Sequence, residues 1–273
     1  MLNTCLRISL DIVLIRAIVN AAEVLGSAPD YGVEGIFSWT AMRLQRHWIR
    51  AGVLAGPVTA LFEGKAFLFL SGTQIVLSVL LLSLPAVDIR LLWLVFLVEG
   101  FVDLRTFAYG RDGSDRMHIL VFLALCVCYS FTDPRARAIG LIFIALQSML
   151  AYFVSGAVKA ISTQWRTGKS ILLVLCSDNY GAPRLGRWMA KHNSLCKVAC
   201  WSVIAFEMSF SFFVFLGPIP TACVLLAGIF FHLSVAATMS LNGFVWSFPA
   251  TYPAIWFLSV AWQQYGLYRH LLG

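Results

Sequence analysis

Charge is what this sequence has least of. Only 12% of its 273 residues are Asp, Glu, Lys or Arg, against 60% that are hydrophobic. A water-soluble domain carries about 25% charged residues, so so little charge over this length excludes a soluble globular fold. Acidic residues are scarcer still, 13 against 20 Lys and Arg, for a formal charge of +7. The basic residues fall between apolar runs and form no stripe or nucleic-acid module, so nucleic acid is not the expected partner. A lipid bilayer with anionic headgroups accounts for the excess.

Other absences narrow the reading further. The seven cysteines include no CxxC pair and no paired Cys/His metal spacing. Their odd number excludes a complete intramolecular disulfide framework, and Cys196 with Cys200 on one helix face is a weak metal signal. No metal site is expected, because His232 has no second ligand at a recognisable spacing. No Gly/Ser linker and no internal repeat appears, so residues 1–273 read as one transmembrane domain. Without repeats or matched pairs of broken spans, the usual signs of a transporter are missing.

What the sequence does have is long apolar runs. About 20 apolar residues cross a bilayer as a helix. That ruler gives about eight spans, near 6–26, 66–84, 91–108, 117–132, 138–159, 196–216, 219–240 and 249–266. The fold class expected is all-α: a polytopic integral membrane helical bundle with added interfacial helices. One of these is expected in "WTAMRLQRHWIRAGVLAG", where Trp39, Arg43, Arg46, Trp48 and Arg50 alternate with apolar residues. The bias of Lys and Arg toward the two long connections, about 27–65 and 160–195, puts both on the cytoplasmic side and both termini outside. Asp11, Arg16 and Glu23 interrupt the first apolar run, so it is not expected to be a cleavable signal.

Ionisable residues inside a membrane cost about 2.5–3.5 kcal/mol each at a helix centre and face the protein interior. Each is therefore a candidate. The first span carries Arg16, Asn20 and Glu23 at i, i+4, i+7, which suits either a structural Arg–Glu network or a wall for an anionic or oxygen-rich ligand. Glu99, Asp103 and Arg105 sit near a span end, before a turn with Asp112, Gly113 and Asp115, where Asp115 is a candidate helix cap. Glu207 lies mid-span and must find a partner or stay protonated; His232 is also mid-span. Ser148, Tyr152, Ser155 and Lys159 are spaced i, i+4, i+7, i+11, one face of one helix. Such a track ends either in an amine anchored among headgroups or in a cavity-facing lysine that works as a base.

The segment "YFVSGAVKAISTQWRTG", with Tyr152, Ser155, Lys159 and Trp165, resembles the Tyr-Phe-x-x-Gly…Lys…Trp-x-x-Gly element of vitamin K-dependent γ-glutamyl carboxylases. It is similar too to that of their bacterial relatives, the horizontally transferred transmembrane domain (HTTM) proteins. "YGRDGSDRMHILVFL", "AFEMSFSFF" and "FFHLSVAATMSLNGF" resemble three further elements of that family, in the same order. The resemblance implies a membrane enzyme of the carboxylase or epoxidase type. Lys159 would be the base on a quinol, a reduced vitamin K-like quinone used with oxygen, and His232 a pocket residue that supports it. Arg16, Asn20, Tyr152, Ser155, Trp165, Glu207 and Asp115 complete the expected substrate pocket. The chain stops soon after its last expected span, so the likeness is to a short bacterial-type member without the large C-terminal extramembrane region. Some short relatives help mature secreted toxin-like peptides, which leaves a second reading: a membrane partner for such a peptide, without quinol chemistry. Either way a multi-pass protein of the bacterial cytoplasmic membrane is implied.

Overall fold

The computed structural model describes residues 1–45, 55–106, 112–177 and 181–265. All regular structure among them is helical. In chain order the helices are α1 (Leu2–Gly26), α2 (Trp39–Met42), α3 (Ala55–Phe62), α4 (Gly64–Ser83), α5 (Ile89–Thr106), α6 (Gly113–Ser130) and α7 (Pro134–Ile161). They continue as α8 (Thr163–Arg166), α9 (Lys169–Leu175), α10 (Pro183–Met189), α11 (Asn193–Phe215), α12 (Pro218–Met239), α13 (Gly243–Ser247) and α14 (Tyr252–Tyr265). Starts are marked by proline in the first turn, where its missing N–H costs nothing. Pro134, Pro183 and Pro218 all sit there, and Asp133 caps α7 through the Arg135 amide.

Among the described residues, five helical stretches are long and apolar enough to cross a membrane: Gly64–Ser83, Pro134–Ile161, Asn193–Phe215, Pro218–Met239 and Gly243–Gln264. The chain is a multi-pass helical membrane protein. Eight spans were expected from the sequence, and the other three do form helices, but not of that apolarity. The reason is their polar content: Arg7, Asp11, Arg16 and Glu23 in α1; Arg90, Glu99, Asp103 and Arg105 in α5; Asp115, Arg116 and His118 in α6.

Large apolar side chains occupy both the core and the outer surface. On α4 the buried positions are Phe67, Ser71, Gln74, Ser78 and Leu81, so the polar side chains point inward. Outside, Phe69 and Ile219 are each 79% exposed, which suits a hydrocarbon solvent.

Packing divides the chain into two compact units, Met1–Ser9 with Phe131–Gly273, and Leu10–Ser130. In the second, Arg105 is fully buried at the end of α5. It donates to the carbonyl oxygens of Phe37 and Phe62, and its guanidinium lies 5.0–5.5 Å from the rings of Tyr31, Trp39 and Phe67. Trp39, expected at the membrane interface, is instead buried against Phe62. Arg46, Trp48 and Arg50 of that expected interfacial helix lie outside the described residues.

Candidate functional site

The first unit is built around α7, which packs chiefly on α11 and α14. Its crossing with α11 is close because residue 156 is glycine: a Cβ there would sit 2.7 Å from Met208 Cγ and 2.8 Å from the Met208 amide nitrogen. The intimacy brings the Lys159 side of α7 onto Glu207 of α11. We expect Gly156→Ala to cost about 1–3 kcal/mol, as overpacking does, by thermal unfolding in detergent. Gly72→Ala is the control, since a Cβ at Gly72 meets nothing within 4 Å; equal behaviour of the two would refute the close-crossing argument.

Each rung of the polar ladder on α7 meets another element. Ser148 accepts from Thr251 at 2.8 Å. The Tyr152 hydroxyl lies 2.6 Å from His232 Nε2 on α12 and 2.9 Å from the Tyr252 hydroxyl on α14. Ser155 donates to Glu207 Oε1 at 3.2 Å. Lys159 Nζ donates to both Glu207 oxygens, at 2.8 and 2.6 Å, and to Ser155 Oγ. It also stands 5.3 Å from the ring centroid of Trp165, carried by the single turn of α8. That turn is tied down where Trp201 Nε1 donates to the Arg166 carbonyl.

These groups open on one cavity of about 410 Å³. Lys159, Ser155, Glu207, Trp165, Tyr152 and His232 all line it, and most of the remaining wall is apolar, including Phe231, Phe244 and Phe248. Short helices of the second long connection contribute to its wall, with Leu175 of α9 and Met189 of α10. His232 is 2% exposed, stacks on Phe248 with ring centroids 4.7 Å apart, and its Nδ1 has no hydrogen-bond partner among the described residues. Tyr152 stacks on Phe210 at 3.9 Å. The pocket is thus an apolar, aromatic chamber with one ion pair and one Tyr–Tyr–His hydrogen-bonded chain.

Arg16, Asn20 and Asp115 belong to the other unit and form a network of their own. Arg16 is paired with Asp115, and Asn20 reaches Asp103 at 3.4 Å. The Arg–Glu network considered for the first span is corrected: Arg16 takes Asp115, while Glu23 is exposed. Asp115 is not the cap of α6 either. Asp112 caps, accepting from the amides of Ser114 and Asp115, and Asp115 accepts from the Asp112 amide at 3.2 Å. This reciprocal pair is a capping box. His118, paired with Glu99 in the same unit, was passed over in sequence because it lies inside an apolar run. Tyr252, Phe244 and Phe248 were missed for a similar reason: aromatics in an aromatic-rich span carry no spacing signal.

The site therefore defines a multi-pass helical membrane protein with an internal amphiphilic cavity. Comparison of the chain with protein-family models, with curated proteins and with solved structures returned no match.

Proposed function

We propose that this chain is an integral membrane enzyme, a bacterial HTTM-type relative of the vitamin K-dependent carboxylases, working by lysine base chemistry on a quinol or similar lipid-soluble hydroxyl compound. The observation that carries the reading is a lysine amine held by Glu207 and Ser155 in a cavity that is otherwise largely apolar and aromatic. Three of the four family-like segments, those with Lys159, Glu207 and His232, contribute to this cavity. An apolar chamber in a lipid-embedded bundle suits a ring compound delivered from the bilayer.

In this reading Lys159 passes one proton to Glu207, and the freed amine takes the proton of the ligand hydroxyl. The result is an ammonium, a neutral Glu207 and a ligand oxyanion beside the ammonium, with net charge unchanged. Ser155 steadies the amine, and Trp165 faces the cation it becomes. His232, held by the Tyr152 hydroxyl, forms part of the wall around the ligand.

The test compares wild type with Lys159→Ala in lipid nanodiscs supplied with reduced naphthoquinone and oxygen. Quinol plus oxygen gives quinone epoxide plus water, so epoxide is followed directly. We expect epoxide from wild type and at least a hundredfold less from Lys159→Ala, in line with loss of a general base. Absence of turnover from folded wild type would overturn the quinol chemistry and favour the peptide-maturation role.

A further inference from the structure

An unpaired lysine in an apolar chamber would capture a fatty carboxylate. Lys159 is not unpaired. The three hydrogens of its ammonium are taken by Ser155 Oγ and the two Glu207 oxygens. Ser155 in turn gives its own hydrogen to Glu207. Among the described residues lining the cavity, Lys159 and Glu207 are the Lys and the acid, and no Arg, Asp or further Lys or Glu joins them. Their charges cancel.

We propose that Glu207 is the specificity-determining residue of this cavity, fixing its ligand as an uncharged amphiphile with a hydroxyl head and excluding long-chain carboxylates and amines. A carboxylate anion reaches Lys159 without the proton that a hydroxyl ligand brings to neutralise Glu207, so it must displace Glu207 and leaves two anions around one cation in a low-dielectric site. An amine at Glu207 meets the mirror-image penalty. In both cases a charge stays buried without a partner, the costly outcome in an apolar environment, and rejection of this kind is how sites separate ligands of like shape. A hydroxyl donates to a Glu207 oxygen, or takes the place of Ser155 Oγ as acceptor at Lys159, without separating the pair.

The inference rests on the cavity being the ligand site and deepens the proposed function by setting the charge class of its ligand; it does not depend on turnover. The probes are a conjugated tetraene fatty acid, the matching alcohol and the matching amine. Saturable binding to the full chain in nonionic micelles is read by energy transfer from tryptophan, with Trp165 in the cavity wall. Wild type should bind the alcohol about tenfold or more tightly than the acid or the amine, roughly the smallest factor one unpaired buried charge imposes. Glu207→Gln should reverse the order and favour the acid by a similar factor, and Lys159→Gln should favour the amine. Should Glu207→Gln fail to fold, the wild-type ranking and Lys159→Gln still decide. Equal affinity of wild type for acid and alcohol, or a ranking unmoved in folded variants, overturns the inference. If wild type binds none of the three, the cavity reading itself falls. Selective binding without epoxide formation leaves the inference standing and overturns only the quinol chemistry.

Discussion

Replacing Glu207 by leucine alone is expected to lower unfolding stability by about 3–5 kcal/mol, because it strands the Lys159 cation in the cavity wall. The Glu207 side chain is 5% exposed and that of Lys159 18%, so neither charge regains full hydration when its partner goes. Lys159→Met strands the carboxylate and should cost a similar amount. The double variant Lys159→Met/Glu207→Leu should return to within about 1 kcal/mol of wild type, since replacing both charges with apolar groups of similar size is often close to neutral. The measurement is a double-mutant cycle by equilibrium unfolding in mixed micelles, where the coupling term isolates the pair. Additive single effects would mean that the ion pair carries no coupling, and Glu207 could not then govern what the cavity accepts.

Arg105→Met is expected to destabilise the Leu10–Ser130 unit by about 4 kcal/mol or more. The substitution removes the guanidinium donors from the buried Phe62 carbonyl contact and the part-buried Phe37 one, a loss worth about 1–3 kcal/mol at a buried site and less at a part-buried one. It also empties the cage of Tyr31, Trp39 and Phe67 of its cation, a contact worth about 2 kcal/mol when desolvated. Arg105→Lys should recover little. The two carbonyls are reached by two separate nitrogens of one planar fork, a geometry that a single ammonium does not reproduce. Thermal unfolding in detergent tests both, and full rescue by lysine would reduce the role of Arg105 to its charge.

These two residues show unequal legibility. The face shared by Ser148, Tyr152, Ser155 and Lys159 follows from helix period alone and holds in α7. Whether Lys159 ends among headgroups or in a cavity does not follow from period. The deciding partner, Glu207, lies 48 residues further on in another helix. Arg16 had Glu23 within two turns on its own helix, yet its partner is Asp115, 99 residues away. Local spacing gives the candidates that can meet, and packing chooses among them. Arg105 read as an ordinary charge near a span end, because nothing in its neighbourhood shows that Phe37, Phe62 and three aromatic rings from an earlier segment enclose it.

Sequence alone determined that this chain belongs in a bilayer as a bundle of helices. Apolar length and scarcity of charge are additive properties of a segment, and backbone hydrogen bonding in lipid leaves the helix as the local answer. It also marked the polar face of α7 and the mid-span Glu207 and His232 as anomalies that need burial. Only the tertiary structure decided that Lys159 is neutralised by Glu207. It alone placed Tyr152, Tyr252 and His232 in one chain beside that pair. Each depends on the distance between residues remote in sequence, and the energy of a buried charge is set by its nearest partner rather than by its neighbours along the chain.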